Sequence, residues 1–307
     1  MDTIEIHQYR ALASGPRLLV LGAVHGNETC GTLAIRKVAA EFAGGARRVT
    51  RGVLTLVPVA NPVAFRLGTR EGDRNLNRDF RPSVCPEDAE DRIANHLAPL
   101  LAGHDALVDL HSFNAQGGEP FVFFGPHDNE GELEPFRRAE EEALLARAVG
   151  PRRLVYGWLA AYARGAARRP GGRIGYGIGT TEYMRSRGGY AVTVECGQHA
   201  DPAAPAVART AIDNAIALLG IAEGTASVGA AVAHELIEMV DVVDRRSPDD
   251  RFSEVWSSFD PVEAGRTIAL RADGEAIVAP EDGFVVFPSS HALPGREWFY
   301  FARPGRR

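Results

Sequence analysis

The sequence is poor in cysteine, and its cysteines are not arranged for a structural role. Cys30, Cys85 and Cys196 are the three cysteines of a 307-residue chain, and an odd number in unrelated contexts gives no disulfide framework. The Cys-x-x-Cys spacing typical of many zinc sites is missing too. A reducing compartment fits this composition, and we expect a cytoplasmic protein.

Long apolar runs and an excess of positive charge are also lacking. No run approaches the roughly 20 apolar residues of a membrane-spanning helix, and residues 1–17 lack the apolar centre of a secretory signal. The chain holds 34 Lys and Arg against 40 Asp and Glu, a formal charge of −6. No overall field therefore favours nucleic acid or an anionic membrane, and we expect neither as a partner.

Apolar segments of strand length alternate with helical patterns along the first 220 or so residues. Buried-strand patterns occur at RLLVLGAVHG (17–26), GVLTLVPVANP (52–62), DALVDLHS (105–112), EPFVFFG (119–125) and GYAVTVECG (189–197). Helix patterns occur at 30–43, 86–101, 134–150 and 204–220. This alternation predicts an α/β layer structure.

The tail changes character, with short β-rich segments punctuated by Asp-Gly turns. We therefore predict two domains, an α/β domain over 1–222 and a smaller β-rich domain over 223–307. Residues 163–189 are rich in glycine and arginine and suggest a long mobile loop, either bordering an active site or without function.

His25 and Glu28 lie in the turn LGAVHGNETCG, after a predicted strand and at the start of a predicted helix. An i, i+3 spacing brings both side chains to one side of the turn. Zinc accepts imidazole nitrogen and carboxylate oxygen, and a catalytic site commonly uses three protein ligands. The pair is either part of a metal site or only a polar strand-to-helix turn, and Cys30 is better interpreted as a small packing residue in the helix.

His111 is the best candidate for a third ligand. It stands at the carboxyl end of a predicted strand, where open α/β sheets build their sites. Asp109 lies two positions earlier on the same face of that strand, where it could orient a ligating imidazole or simply cap the strand.

Two further stretches carry candidate site residues. TREGDRNLNRDFR (69–81) is too polar for a core element, and its Asn77–Arg78 pair offers donors suited to an anion, although a solvated loop has the same composition. Glu195 ends an apolar strand, where an unpaired carboxylate is costly. If that strand ends beside His111, Glu195 can act as general base and then as general acid; otherwise it is an exposed strand terminus.

Taken together, GAVHGNETCG, TREGDRNLNRDF, VDLHS and VTVECG resemble the succinylglutamate desuccinylase/aspartoacylase family, relatives of the zinc carboxypeptidases. The resemblance implies a mixed central sheet flanked by helices, with a smaller C-terminal β-rich domain that narrows access to the site. It implies one Zn²⁺ per chain, with His25, Glu28 and His111 as the metal ligands.

The resemblance also implies roles for the remaining residues. Glu195 would be the general acid/base, Arg70 would polarise the scissile carbonyl, and Asn77 with Arg78 would grip the substrate carboxylate. Arg185, ten residues before Glu195, would correspond to the arginine that binds a distal substrate carboxylate, with Arg187 as the alternative.

The sequence therefore predicts a zinc-dependent hydrolase that cleaves the amide bond of a small N-acyl amino acid. Two alternatives are open: a zinc carboxypeptidase acting on peptides, and a non-catalytic relative that binds zinc or a small acid. Assembly into a homo-oligomer is open as well.

Overall fold

The computed structural model describes residues 3–115, 118–223 and 233–306. The chain forms two compact units. The first consists of Met1–Phe113, Pro120–Leu154 and Ile178–His234, and the second of Asn114–Glu119, Val155–Gly177 and Glu235–Arg307. The predicted boundary after residue 222 stays a prediction, and residues 224–232, just beyond it, lie outside the described ones.

The first unit is built on a mixed sheet. Its strands are β1 (His7–Arg10), β2 (Arg17–Gly22), β3 (Val53–Val57), β4 (Ala106–Phe113), β5 (Phe121–Phe123) and β7 (Tyr190–Gln198). Strand β6 (Arg153–Tyr156) comes between β5 and β7 in the sequence and spans the division between the units. The strands of the first unit are in the order β1-β3-β2-β4-β7-β5. The β2, β3, β4 and β7 pairings are parallel, whereas β1 and β5 pair antiparallel to their neighbours. Strands β2, β3 and β4 are near-continuous apolar runs, as expected of parallel strands covered on both faces.

Helices flank this sheet. They are α1 (Cys30–Ala43), α2 (Pro62–Leu67), α3 (Ala89–Ala102), α4 (Ala139–Ala148), α6 (Thr180–Ser186) and α7 (Ala204–Leu218). Helix α5 (Trp158–Arg168) belongs to the second unit. Helix α1 packs on β2, β3 and β4 and also contacts α7, while α3 packs against α6, which covers β4 and β7. The α/β architecture predicted from the alternating patterns is thus confirmed.

The second unit contains two antiparallel groups of strands. Its strands are β8 (Glu235–Asp244), β9 (Arg251–Phe252), β10 (Asp260–Val262), β11 (Thr267–Leu270), β12 (Ala276–Val278), β13 (Gly283–Val286) and β14 (Glu297–Pro304). One group has the order β8-β14-β13-β10 and the other β12-β11-β9. Trp298, Phe299 and Phe301 of β14 are almost fully buried in its core. The predicted β-rich character of the tail is confirmed.

The prediction of a long loop over 163–189 is wrong for most of that segment. It contains the end of α5, a 3₁₀ turn over Ile174–Gly177, and α6. Buried Leu159, Tyr162 and Ala166 give α5 one apolar face, which the surrounding arginines and glycines hide in the sequence. Gly165 belongs to the same face, because a Cβ there would come within 2.2 Å of Val242 on β8.

None of the helices within 3–115, 118–223 and 233–306 has the length and apolar character that crossing a bilayer requires.

Candidate active site

The carboxyl ends of β2, β4 and β7 bring the predicted site residues together. His25 and Glu28 occupy the turn between β2 and α1, which is closed by a 3.1 Å hydrogen bond from the Glu28 N–H to the His25 carbonyl. His111 is on β4, the strand next to β2. Its partner in the parallel register with β7 is Glu195. Directly paired residues on neighbouring strands project from the same face, so the register aligns His111 with Glu195.

His25, Glu28 and His111 form a buried group that could hold a metal ion. Nδ1 of His25 lies 2.9 Å from Oε1 of Glu28, and Nδ1 of His111 lies 2.8 Å from Oε2 of the same carboxylate. One ligand atom from each residue lies within 4.8 Å of the others. Only 1–2% of each residue is exposed. The donor set is that of catalytic zinc sites.

Which ring nitrogen of His25 carries a proton decides whether a cation fits between His25 and Glu28. Oδ1 of Asn75 accepts the backbone N–H of Asn77 at 2.9 Å, which identifies this atom as the amide oxygen. Nε2 of His25 lies 3.0 Å from that oxygen and must therefore donate to it. Burial, reinforced by the charge of Arg70, lowers the pKa of His25 to about 4, so the ring is neutral near pH 7. A neutral ring has one N–H, and its Nδ1 lone pair consequently faces the Glu28 carboxylate.

Two acceptor atoms 2.9 Å apart repel each other unless a cation lies between them. For Glu28, burial would raise the pKa, but the nearby His25 and His111 outweigh it and lower the pKa well below its usual value. The carboxylate is therefore ionised, and the arrangement fits a metal ion bound by Nδ1 of His25 and by Glu28.

Asp109 lies behind His111. Its Oδ2 is 3.1 Å from Nε2 of His111, although at an angle outside that of a formed hydrogen bond, and the Asp109 side chain is fully buried. Burial opposes a charge on His111, but Asp109 and Glu28 outweigh it and raise the pKa of His111 well above its usual value. Each histidine thus directs Nδ1 toward Glu28 and Nε2 toward a second oxygen, the arrangement that orients metal-ligating histidines.

Glu195 is a half-buried residue whose Oε2 atom is enclosed and has no hydrogen-bond partner among the described residues. Burial raises the pKa of this carboxyl to about 8, and the nearby Glu28 charge adds to the effect, whereas His111 and Arg70 oppose it. A carboxyl that titrates near neutral pH is suited to take up and release a proton.

The polar loop predicted to bind the substrate is held by one buried carboxylate. Glu90 of α3 is fully buried and accepts the backbone N–H groups of Gly72, Asp73 and Arg74 at 3.0–3.2 Å, together with the side-chain amide of Asn61 at 2.9 Å. Glu90 therefore fixes the loop between Arg70 and Asn75.

The arginines of this loop have different surroundings. Arg70 Nη1 donates to Oε1 of Glu28 at 2.8 Å, yet 46% of its side chain is exposed. The guanidinium therefore contacts both the His25–Glu28–His111 group and solvent. Arg74 is held by Asp88 and Asp91 at 2.7 Å each and thus supports the loop. Arg78 Nη1 donates to the carbonyl of Asn77 at 2.8 Å, which places the predicted Asn77–Arg78 pair together.

Arg185 is not brought into contact with this group. Its side chain is 3% exposed, and its guanidinium pairs with Glu142 at 2.9 Å, Glu134 at 2.6 Å and Glu182 at 3.4 Å. It also donates to the carbonyl of Ala191 at 2.9 Å. These contacts account for its burial, and its predicted role in substrate binding stays a prediction.

The sequence did not identify several neighbours of the site. Ser112 donates its N–H to Oε2 of Glu28 at 3.1 Å, and its hydroxyl lies 2.8 Å from Nδ1 of His199. Thr180 contacts both Asp109 and Asn77. Position next to His111 near the carboxyl end of β4 was a signal for Ser112, but nothing local marks Thr180. Cys30 is buried, and its Sγ donates to the carbonyl of His111 at 3.4 Å, in keeping with a packing residue.

Part of the chain matches the model of a known protein family. Residues 14–149 match the family model described as the succinylglutamate desuccinylase/aspartoacylase catalytic domain. This segment contains His25, Glu28, Arg70 and His111, whereas Glu195 lies beyond it. Over 114 residues the chain is 26% identical to a probable aspartoacylase of Prochlorococcus marinus, a match that covers 36% of this chain and 37% of that protein.

Solved structures share the fold over nearly the whole chain. A succinylglutamate desuccinylase/aspartoacylase from Rhodobacter sphaeroides superposes with a TM-score of 0.73 at 19% identity, covering 99% of this chain and 90% of the other. A product-bound ectoine utilization protein EutE from Ruegeria pomeroyi gives 0.71 at 22% identity, covering 97% and 88%. A succinylglutamate desuccinylase from Chromobacterium violaceum gives 0.69 at 18% identity, covering 98% and 89%.

The names in the family description are those of deacylases, enzymes that remove an acyl group. The resemblance to the succinylglutamate desuccinylase/aspartoacylase family that the sequence motifs indicate is thus confirmed, since the family's catalytic-domain model matches residues 14–149 and the whole chain has the fold of its solved relatives.

Proposed function

We propose that this chain is a zinc-dependent hydrolase that cleaves the amide bond of an N-acyl amino acid. The observation that carries the proposal is the pairing of the His25–Glu28–His111 group with Glu195 in the register of β4 and β7. The group offers ligands for one metal ion, and Glu195 offers a proton-transferring carboxyl beside it.

Zinc held by His25, Glu28 and His111 would supply Lewis acidity, which makes water a stronger acid and polarises a carbonyl group. In the proposed reaction Glu195 accepts a proton from the attacking water at its carboxylate and later donates it to the departing amine. A pKa raised toward neutrality by burial suits both transfers, because neither the charged nor the neutral form is strongly disfavoured near pH 7.

Arg70 would donate a hydrogen bond to the carbonyl oxygen as negative charge develops on it. Its guanidinium already lies beside Glu28, and about half of its side chain is exposed. Asn77 and Arg78 would bind the substrate carboxylate through an amide and a guanidinium, groups that donate to planar anions. The acyl group removed is left open.

The test is a hydrolysis screen with purified protein, dialysed against chelator and then reloaded with zinc. The substrates are N-acetyl, N-succinyl and N-formyl amino acids, with short peptides in parallel. We expect zinc-dependent release of free amino acid from one of the acyl series. Cleavage of peptides alone would favour the carboxypeptidase alternative.

The matched variant is Glu195→Gln, which keeps the size of the side chain but has no carboxylate to accept a proton. It should retain zinc and lose at least about 100-fold in kcat, the usual contribution of general acid–base catalysis. Hydrolysis by this variant at the wild-type rate would contradict the mechanism. Zinc binding without turnover in the wild type would instead favour a non-catalytic binding protein.

The cytoplasmic location, the small-molecule substrate and the assembly into a homo-oligomer stay predictions of the same proposal.

A further inference from the structure

Thr180, the first residue of α6, contacts both halves of the site. It is fully buried, and its hydroxyl donates to Oδ2 of Asp109 at 2.5 Å. Its backbone N–H donates to Oδ1 of Asn77 at 3.0 Å. The hydroxyl oxygen is 3.4 Å from the same Asn77 atom, but its single proton is directed to the nearer Asp109. One residue therefore contacts the carboxylate behind His111 and the side chain proposed to bind substrate.

The contact with Asp109 matters because that carboxylate is fully buried and has few donors. Oδ1 of Asp109 has no hydrogen-bond partner in the described part of the chain. Oδ2 lies between the Thr180 hydroxyl and Nε2 of His111, which is 3.1 Å away. A buried polar group is costly without hydrogen-bond partners, and the Thr180 hydroxyl is a partner that sets where this carboxylate points.

The contact with Asn77 sets the orientation of its amide. Because a backbone N–H can only donate, the atom it contacts is the amide oxygen. The two N–H donors of the Asn77 Nδ2 group have no hydrogen-bond partner among the described residues, and both can therefore donate to a ligand.

Gly179, immediately before Thr180, permits this approach. A Cβ at Gly179 would lie 2.1 Å from Oδ1 of Asn77, closer than any real contact. Even an alanine at this position would displace the Asn77 side chain.

We propose that Thr180 is a positioning residue, which orients the metal ligand His111 through Asp109 by its hydroxyl and orients Asn77 by its backbone N–H. The inference rests on the proposed function in taking His111 as a zinc ligand and Asn77 as a substrate-binding residue. It predicts that the two effects can be separated by changing neighbouring residues.

The first experiment measures the zinc dissociation constant by competition with a chromophoric chelator. Thr180→Val has nearly the same shape but no hydroxyl, and we expect zinc affinity to fall about tenfold, the lower end for groups that orient metal ligands. Thr180→Ser restores the hydroxyl and should bind zinc within about twofold of wild type. Thr180→Ala replaces the valine variant if thermal melting shows that the latter does not fold.

A double-mutant cycle tests whether Thr180 acts through Asp109. In an Asp109→Asn background, adding Thr180→Val should leave zinc affinity unchanged, since the carboxylate that the hydroxyl orients is gone. A further tenfold loss in that background would overturn the proposed route. So would wild-type affinity in Thr180→Val, or equal losses in the valine and serine variants.

The second experiment uses Gly179→Ala. We expect KM for the N-acyl amino acid found in the screen to rise several-fold while zinc affinity stays within twofold of wild type. Loss of zinc affinity with unchanged KM would overturn the assignment of the two contacts. If wild-type protein binds no zinc, the proposed function fails together with this inference, whereas zinc binding that is insensitive to Thr180 contradicts the inference alone.

Discussion

Nε2 of His25 donates to Oδ1 of Asn75 over 3.0 Å, and that oxygen is already fixed by the N–H of Asn77. The tautomer of His25 is therefore set by a loop 50 residues further along the chain. Because the loop is held by Glu90, the lone pair of His25 Nδ1 is kept pointing at Glu28.

Replacement of Asn75 should weaken metal binding without removing a ligand. In Asn75→Leu the ring of His25 loses the acceptor for its Nε2–H, and we expect zinc affinity to fall about tenfold. Chelator competition measures the loss. Asn95→Leu is a control of the same chemistry, because Asn95 bonds to Ser83 instead of to the site. Equal zinc affinity in the wild type and Asn75→Leu would contradict the proposed tautomer control.

Zinc content should depend on His25 and not on an exposed histidine. We expect wild-type protein to retain about one zinc per chain after dialysis and His25→Ala to retain almost none, because two of three ligands bind zinc poorly. His96→Ala is the matched control, since His96 is exposed on α3. Elemental analysis gives the metal-to-protein ratio, and full zinc content in His25→Ala would exclude this residue as a ligand.

Arg185 should behave as a structural residue in stability measurements. Removing a buried, hydrogen-bonded charge leaves its partners uncompensated and typically costs about 3–5 kcal/mol. We therefore expect Arg185→Met to lower the free energy of unfolding by about that amount in urea denaturation. Arg187→Met, two residues later at an exposed position over Tyr183, should cost less than about 1 kcal/mol.

The outcome also bears on the predicted substrate role of Arg185. If Arg185→Met folds with wild-type stability but raises KM, the residue binds substrate and its carboxylate contacts are of little consequence.

Glu134 should make stability depend on pH. Burial raises the pKa of Glu134 to about 7, with Glu182 and Glu142 adding to the rise and Arg185 opposing it. In the unfolded chain the pKa of this carboxyl is near its ordinary value of 4.5, so the folded state holds the proton more strongly. This stabilising contribution is full below about pH 4.5 and is lost as the pH rises through 7.

Glu134→Gln keeps an acceptor for Arg185 but cannot ionise. Relative to wild type, this variant should gain stability between pH 5 and pH 8, by at least about 1.4 kcal/mol, the value of one pKa unit. Urea denaturation at the two pH values measures the difference, and a constant difference would contradict a raised pKa. Glu130→Gln is a suitable control, since Glu130 is 77% exposed.

Strand-end positions made much of the site predictable. His25, Glu28, His111 and Glu195 follow or end apolar runs, and such runs become the neighbouring parallel strands whose carboxyl ends meet. The β-rich tail was also predictable from its turns. Helix α6 was not, because its seven residues are too few for a periodic pattern to stand out in a segment rich in arginine and glycine.

Contacts that depend on loop conformation could not be predicted. Asn75 reaches His25 only because Glu90 folds the intervening loop, and Thr180 meets Asp109 across 71 positions of chain. Arg185 lies on α6, five residues before β7 begins, yet its partners Glu134 and Glu142 come from a different segment and bury it. Side-chain charge alone does not distinguish a group that faces a ligand from one neutralised inside the protein.

The proposed metal ligands and the proposed proton-transferring carboxyl come from different segments of the first unit. His25, Glu28 and His111 depend on β2 and β4, whereas Glu195 belongs to β7, which begins almost 80 residues after His111 in the sequence. Under the proposed function, metal binding and proton transfer are therefore separable along the chain: the first depends on residues up to His111, and the second depends on β7.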